Sequence, residues 1–313
     1  MARSTSGGSK TVIYAALAGN LAIAVTKLAA SFYTGSSAML TEAIHSFVDT
    51  GNQGLLLYGL RRAARPADER HPFGHGLEVY FWSFVVALMI FALGGAFSIY
   101  EGVHKIVRPE PIESAWVNYA VLAASAVFEG LSFRVAWREF QTYHADVPLW
   151  AGIRRSKDPS LFAVLLEDGA ALVGLAIAAL GVTGTTLLGS GVADGIASVA
   201  IGCLLVFTAV VLANETRSLL TGESASPRLL RAARAVLQAD PRVLSIEEML
   251  SLHLGPREVL IAVTLALRPD LTVDEVRRTA QELRDRIEEG EPIVSHVFFR
   301  LDSHRVDQPA RAP

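Results

Sequence analysis

The chain has 313 residues, 51% of them hydrophobic, and 28 basic side chains against 31 acidic ones leave a net charge of −3. Mean hydropathy is +0.36, with the excess in the first two thirds. This balance gives no reason to expect a nucleic-acid partner. The single cysteine, Cys203, excludes an internal disulfide and any thiolate metal cluster.

The opening MARSTSGGSK has no small-residue cleavage site behind a short apolar core, so residues 1–10 read as a tail rather than a removable signal. Six stretches then approach the roughly 20 apolar residues that a helix needs to cross a bilayer. They are approximately 11–33, 38–60, 77–100, 115–137, 161–182 and 192–214. The second is the most polar, which a membrane helix tolerates only if its polar face looks into a bundle. Arg3, Lys10, Arg61, Arg62, Arg65, Arg70, Arg138, Arg154, Arg155, Lys157 and Arg217 fall at one set of helix ends. The opposite ends carry only Lys105 and Arg108, and the loops at Thr34–Ser37 and Gly184–Gly191 carry no basic residue. Both termini are therefore expected in the cytoplasm.

Residues 11–220 thus read as an all-α domain of six transmembrane helices, and 221–303 as a small cytoplasmic α+β domain. Pro227–Gln238 has helical apolar spacing; Glu247–Leu254 and Glu258–Leu267 read as strands around Gly255–Pro256. Thr272–Glu289 reads as an amphipathic helix with a Thr272/Glu275 capping box, and Val294–Leu301 as a last strand. The order α-β-β-α-β is ferredoxin-like, and 304–313 is a C-terminal tail.

Three motifs carry chemistry. The second helix contains TEAIHSFVD, in which His45 and Asp49 are one turn apart on one face, with Glu42 and Asn52 close to it. Imidazole and carboxylate are ordinary ligands for a divalent metal, and ionisable groups at membrane depth read as functional; the bland alternative is a hydrogen-bonded interhelical pair. The fifth helix contains LLEDGAALVG, where Glu167 and Asp168 point about 100° apart, one into the bundle and the other towards a second helix or an aqueous edge. The loop ADERHPFGHG holds Asp68, His71 and His75 in a turn-prone segment that suits either an exposed metal site or a solvated loop, with Gly74 and Gly76 giving backbone freedom.

With ADGIAS opening the sixth helix and EGVHKIVRPEPIE after the third, these motifs in this order resemble the cation diffusion facilitator family, across nearly the whole chain. The resemblance implies a homodimer in the bilayer that moves a divalent metal out of the cytoplasm in exchange for protons, with no prosthetic group. The family's transport site pairs two residues four apart on helix two with two on helix five. Here these are His45 and Asp49, then Asp168, whose usual partner falls at Val164, a residue without a ligand atom. The missing position falls to water or another side chain: Glu167 is nearest in sequence but points wrongly on a regular helix, Glu42, Asn20 and Glu129 are other candidates, and the chain resembles a subgroup lacking the helix-five histidine. Zinc is the first expected cargo because His45 supplies nitrogen; manganese, iron and cobalt stay open. Asp68, His71 and His75 match a second family site. In the C-terminal domain Asp302 fits a relative's ligand position, but Arg300 stands where a histidine is expected and His253 and His296 are out of register. That domain is expected to dimerise without a full binuclear site. The compact chain suggests a bacterial source, so the multi-pass protein is expected in the cell (inner) membrane.

A second class of function is a non-transporting metal sensor or metal-regulated dimeric scaffold, which Val164 favours and the intact His45, Asp49 and Asp168 disfavour. A membrane enzyme would call for HExxH or a buried nucleophilic dyad; the chain has no HExxH, and no enzymatic activity is expected.

Overall fold

The computed structural model describes residues 6–109, 114–144, 152–153 and 157–302, and side chains throughout these except for 6–19 and 142–144. The expected tails fall wholly or in part outside the described residues, as do Arg3, Arg154, Arg155 and the centre of the segment after the third helix. Two compact units emerge. One comprises the chain up to Arg62 and Glu78–Arg217; the other comprises Ala63–Leu77 and the chain from Ser218 onward.

The first unit is helical: α1 (Ser6–Thr34), α2 (Ser37–Ala63), α3 (Glu78–Val107), α4 (Ala115–His144), α5 (Pro159–Leu188) and α6 (Val192–Leu220). Each of the six expected stretches is a helix, and each runs past the apolar window that revealed it. Among the described residues α3, α4, α5 and α6 are long and apolar enough to cross a membrane. Helix α2 is long enough but buries Glu42, His45, Asp49 and Asn52. Helix α5 starts on an Asp158 side chain that accepts from Ser160 N, with Pro159 in its first turn. It continues to a left-handed Gly189 (φ +65°), well into the segment expected to be loop.

Helix α1 buries Ala24, Lys27, Ala30, Ser31 and Thr34, one stripe at helical spacing. Thr34 Oγ1 donates to Asn118 Oδ1 of α4 at 2.8 Å. Helix α3 widens into a π-helical turn over Ile90–Ala96 before resuming regular winding. From the end of that turn, glycines of α3 and α6 bring the two backbones close together. A β-carbon on Gly102 would lie 2.7 Å from the Gly195 carbonyl oxygen, and one on Gly202 would lie 2.9 Å from that of Gly95. Small residues at such a seam let the backbones approach closely enough for Cα–H···O contacts.

The N-terminus of α2 is capped from far away in sequence. Asp194, fully buried in the first turn of α6, accepts from Ser36 Oγ (2.7 Å), Ser37 N (2.5 Å), Ser37 Oγ (2.9 Å) and Ala38 N (3.3 Å). Its own N–H donates to Thr185 Oγ1 of α5 at 3.1 Å. Helix-terminal N–H groups without water need such partners, and a carboxylate also opposes the positive end of the helix dipole.

In the second unit, α7 (Pro227–Gln238) and α8 (Val273–Gly290) lie on one face of a three-stranded sheet, β1 (Val243–Gly255), β2 (Glu258–Leu267) and β3 (Val294–Leu301). β1 and β2 form an antiparallel hairpin, and β3 returns parallel to β2 through α8. Alternate residues of β2, Val259, Ile261, Val263 and Leu265, meet Leu229, Ala233 and Leu237 of α7 and Leu283 and Ile287 of α8. Full burial of one such leucine is worth about 2 kcal/mol. The capping box of Thr272 and Glu275 is present. The first strand begins earlier than its alternation suggested, because irregular register between Val243 and Glu248 blurs the two-residue period.

Asp240, whose side chain is 2% exposed, closes the turn after α7. It accepts from Arg242 Nε (2.8 Å) and NH2 (2.7 Å), and Arg242 also reaches Glu282 of α8 at 2.7 Å. The Arg242 side chain first, then its backbone N–H, holds the Asp240 carboxyl down at about 2.

Two outcomes follow from these contacts. Asp194→Ala removes the α2 cap and is expected to cost about 2 kcal/mol, seen as a melting midpoint roughly 4–8 °C lower in detergent. An unchanged midpoint contradicts the capping role. Because the Asp240 pKa is depressed on folding, its stabilisation of about 2 kcal/mol is complete above the ordinary carboxylate range near 3.9 and is lost as pH falls through about 2. Asp240→Asn should therefore weaken amide protection of β1 and β2 at pH 7 in the full-length protein, and the difference from wild type should close in acid.

Candidate metal sites

The conserved geometry of a helix brings His45 and Asp49 together on the inner face of α2, His45 Nδ1 3.5 Å from Asp49 Oδ1. His45 is 1% exposed, and neither ring nitrogen has a hydrogen-bond partner; Asp49 Oδ1 lacks one as well. Buried polar atoms in native proteins are almost always paired, so three unpaired ones on a single helical turn mark a place meant for something else.

Helix α5 brings two carboxylates to this region. Glu167 and Asp168 are both buried, 3% and 7% exposed, and they point to different neighbours. Glu167 Oε1 accepts from Asn52 Nδ2 of α2 at 3.2 Å, one turn beyond Asp49. Asp168 Oδ2 accepts from Ser132 Oγ of α4 at 2.6 Å. The charges whose fields reach Asp49 are those of Glu167, Glu129 and Asp168, in that order, and of Lys27. Glu129 is half-buried on α4. The remaining candidates are otherwise engaged: Asn20 donates to Gln53 Oε1 at 3.2 Å, and Glu42 Oε2 accepts from Lys27 Nζ at 3.1 Å. Val164 is half-buried and offers no ligand atom. The sequence leaves Glu167 as a possible ligand that diverges from Asp168 by about 100° on a regular helix. It gives no weight to Asn52 as the group that draws Glu167 towards α2.

The second cluster is tighter. Asp68, His71 and His75 place one ligand atom each within 4.8 Å of one another, the sole such trio of His, Cys, Asp or Glu among the described residues. All three belong to the second unit. The loop builds this locally. Asp68 Oδ1 accepts from Arg70 N (2.9 Å) and His71 N (2.7 Å), and Gly74, at φ +84°, donates its N–H to His71 O at 3.0 Å. The His71 and His75 rings lie 4.2 Å apart between centroids, and His75 Nε2 is 3.5 Å from Asp68 Oδ2. His75 is 7% exposed with Nδ1 unpartnered. The backbone hydrogen bond from His71 is the chief cause holding the Asp68 carboxyl below its usual range, so it is an anion at neutral pH.

The loop is anchored within its unit. Gly76 abuts the Leu254 carbonyl so closely that any β-carbon would overlap it. The Phe73 ring meets His296 at 5.4 Å and Phe298 at 6.4 Å, both on β3. His253 and His296, out of register for the relatives' binuclear site, are not gathered into any trio among the described residues.

Residues 13–221 match the family described as the cation efflux transmembrane domain. The chain is similar to the proton-coupled zinc antiporter SLC30A9, mitochondrial, of Mus musculus, with 34% identity over 92% of this chain and 54% of that protein. It is similar to metal tolerance protein C4 of Arabidopsis thaliana, with 30% identity over 88% of this chain and 61% of that protein. Magnetosome protein MamB of Paramagnetospirillum magneticum is 25% identical over 90% of both chains. The chain thus spans about half the length of the SLC30A9 relatives it matches.

Removing one imidazole from the loop trio should be decisive for binding there. His75→Ala is expected to weaken zinc or cobalt binding by the loop at least about ten-fold. Cobalt absorption of the full-length protein reads this directly, and a spectrum that His75→Ala leaves intact would place the ion elsewhere.

Proposed function

We propose that this chain, which belongs to the cation efflux (cation diffusion facilitator) family, exports a divalent metal ion, zinc first, in exchange for protons. The proposed route runs through His45, Asp49, Glu167 and Asp168. The observation that carries the reading is the unsatisfied polarity of α2: two imidazole nitrogens and a carboxylate oxygen, buried, without partners. A dication could take one His45 nitrogen and the Asp49 oxygen as ligands, the other ring nitrogen carrying the proton. Glu167 takes the part of the ligand missing at Val164, since Asn52 draws it to the α2 face and its field is the foremost carboxylate influence on Asp49.

The physics of exchange follows from the ligand set. Neutral His45 offers a lone pair; a proton on it removes that ligand and adds positive charge, so metal and protons compete for one place. Carboxylates supply the negative charge that makes a cation welcome in a low-dielectric bundle. Rocking of α2 and α5 against their neighbours would open the place to alternate sides. The membrane potential contributes about 2.3 kcal/mol per charge per 100 mV, which assists expulsion if more than two protons return per metal ion. The relatives named as proton-coupled zinc antiporters support zinc and protons as the exchanged pair. Manganese, iron and cobalt are the alternative cargoes.

The clustering of basic residues at one set of helix ends supports cytoplasmic termini and a cytoplasmic C-terminal domain. A homodimer in the cell (inner) membrane completes the proposal, with the loop trio as a second, exposed metal site. One observation favours a different reading, a metal-sensing regulator. The tightest ligand trio among the described residues belongs to the second unit and not to the helical one.

Metal uptake into proteoliposomes under a pH gradient separates the two. Wild type is expected to move zinc only with the gradient, and Asp49→Ala to reduce uptake by at least about a hundred-fold, since it removes both a ligand oxygen and a negative charge beside His45. Glu167→Gln should fall further than Glu129→Gln. Binding without gradient-dependent uptake would establish the regulator instead.

A further inference from the structure

Lys27 is a lysine with no exposed surface, on a helix otherwise lined by small and apolar residues. Its ammonium donates to Glu42 Oε2 at 3.1 Å and to Ser46 Oγ at 2.8 Å, both on α2. Burying an ion pair in a membrane bundle is expensive and seldom the best way to join two helices. The pair is also incompletely satisfied. Glu42 Oε1 has no hydrogen-bond partner and faces Gly174 of α5, where a β-carbon would overlap it. A carboxylate with one oxygen on a lysine and the other open can exchange its cation.

Its place along α2 matters. Glu42 stands one turn from His45, on the side of the α1–α2 turn. From that level a ladder of buried hydroxyls continues in the same direction. Thr41 Oγ1 and Ser198 Oγ are 3.0 Å apart, Ser198 Oγ donates to Ser37 Oγ at 3.3 Å, and Ser37 and Ser36 reach Asp194. The ladder ends at an open cavity of about 230 Å³, bordered by Ser36, Ser37 and Glu101 and by His104, Lys105 and Arg108.

We propose that Lys27 is a resident cation that gates this trail: an ion passes between the buried carboxylates and the α1–α2 turn only as the ammonium gives up Glu42. This deepens the exporter reading and rests on it. While the ammonium stays on Glu42 it repels any other cation in the trail, because like charges interact strongly where water is scarce. When it leaves, Glu42 becomes the next carboxylate a departing metal meets. Lys27 is thus a positioning and gating residue, not a ligand.

The test reads access and not transport. Thr41→Cys in a Cys203→Ala background gives one reporter thiol on the trail. Methanethiosulfonate reagents, one cationic and one neutral, are added from the side of the α1–α2 turn to full-length protein in liposomes. With Lys27 present the cationic reagent should react slowly. Lys27→Gln should speed it at least about ten-fold while changing the neutral reagent less than about three-fold, and Lys27→Arg should leave both slow. Equal acceleration of both reagents would mean that Lys27 is only a clamp between helices, and no acceleration would mean that it does not guard the trail; either overturns the proposal. If Lys27→Gln does not fold, Glu42→Gln, which frees the ammonium from its anchor, must speed the cationic reagent more than the neutral one, and an equal or smaller effect on the cationic reagent overturns the proposal. Wild type that shows this access pattern yet moves no zinc would overturn the exporter reading and leave the gate standing.

Discussion

A helix that must sit in hydrocarbon while carrying Glu42, His45, Asp49 and Asn52 has one solution, which is to be surrounded. Helix α2 is the constraint on which the helical unit depends. Several of its polar groups are met by different neighbours: Glu42 by Lys27 of α1, Asn52 by Glu167 of α5, and its first N–H groups by Asp194 of α6. Both His45 ring nitrogens and Asp49 Oδ1 are left without hydrogen bonds, as are the second oxygen of Glu42 and the amide oxygen of Asn52.

That arrangement explains what the sequence disclosed and what it hid. The helices were legible because the bilayer imposes a length and a composition, and the C-terminal strands because the hairpin turn at Gly255–Pro256 and the capping box at Thr272 are local devices. Asp194 was visible only as part of a motif, since a cap contributed from 157 residues away has no local signature. The Gly95–Gly202 and Gly102–Gly195 seam was equally hidden, because glycines in an apolar run give no pattern until the partner helix is placed.

The loop trio shows the opposite case. Asp68, His71 and His75 are close in sequence, and their convergence is produced by backbone hydrogen bonds within eight residues, so proximity along the chain sufficed to find them. What sequence did not disclose is that the loop belongs with the C-terminal unit, held by Phe73 against His296 and Phe298 and by Gly76 against Leu254. Those contacts are between segments far apart in the chain, and nothing in FGHG by itself names its partner.

Val164 is where the sequence departs from the family pattern, and the structure suggests how that departure is tolerated. A ligand one turn before Asp168 would share its face of α5. Glu167 does not, and on a regular helix it diverges by about 100°. The divergence matters less than it first implies, because α2 and α4 lie on different sides of α5, and the two adjacent carboxylates are aimed one at each: Glu167 to Asn52, Asp168 to Ser132. A site assembled from one helix face needs residues four apart; a site assembled between three helices can use neighbours.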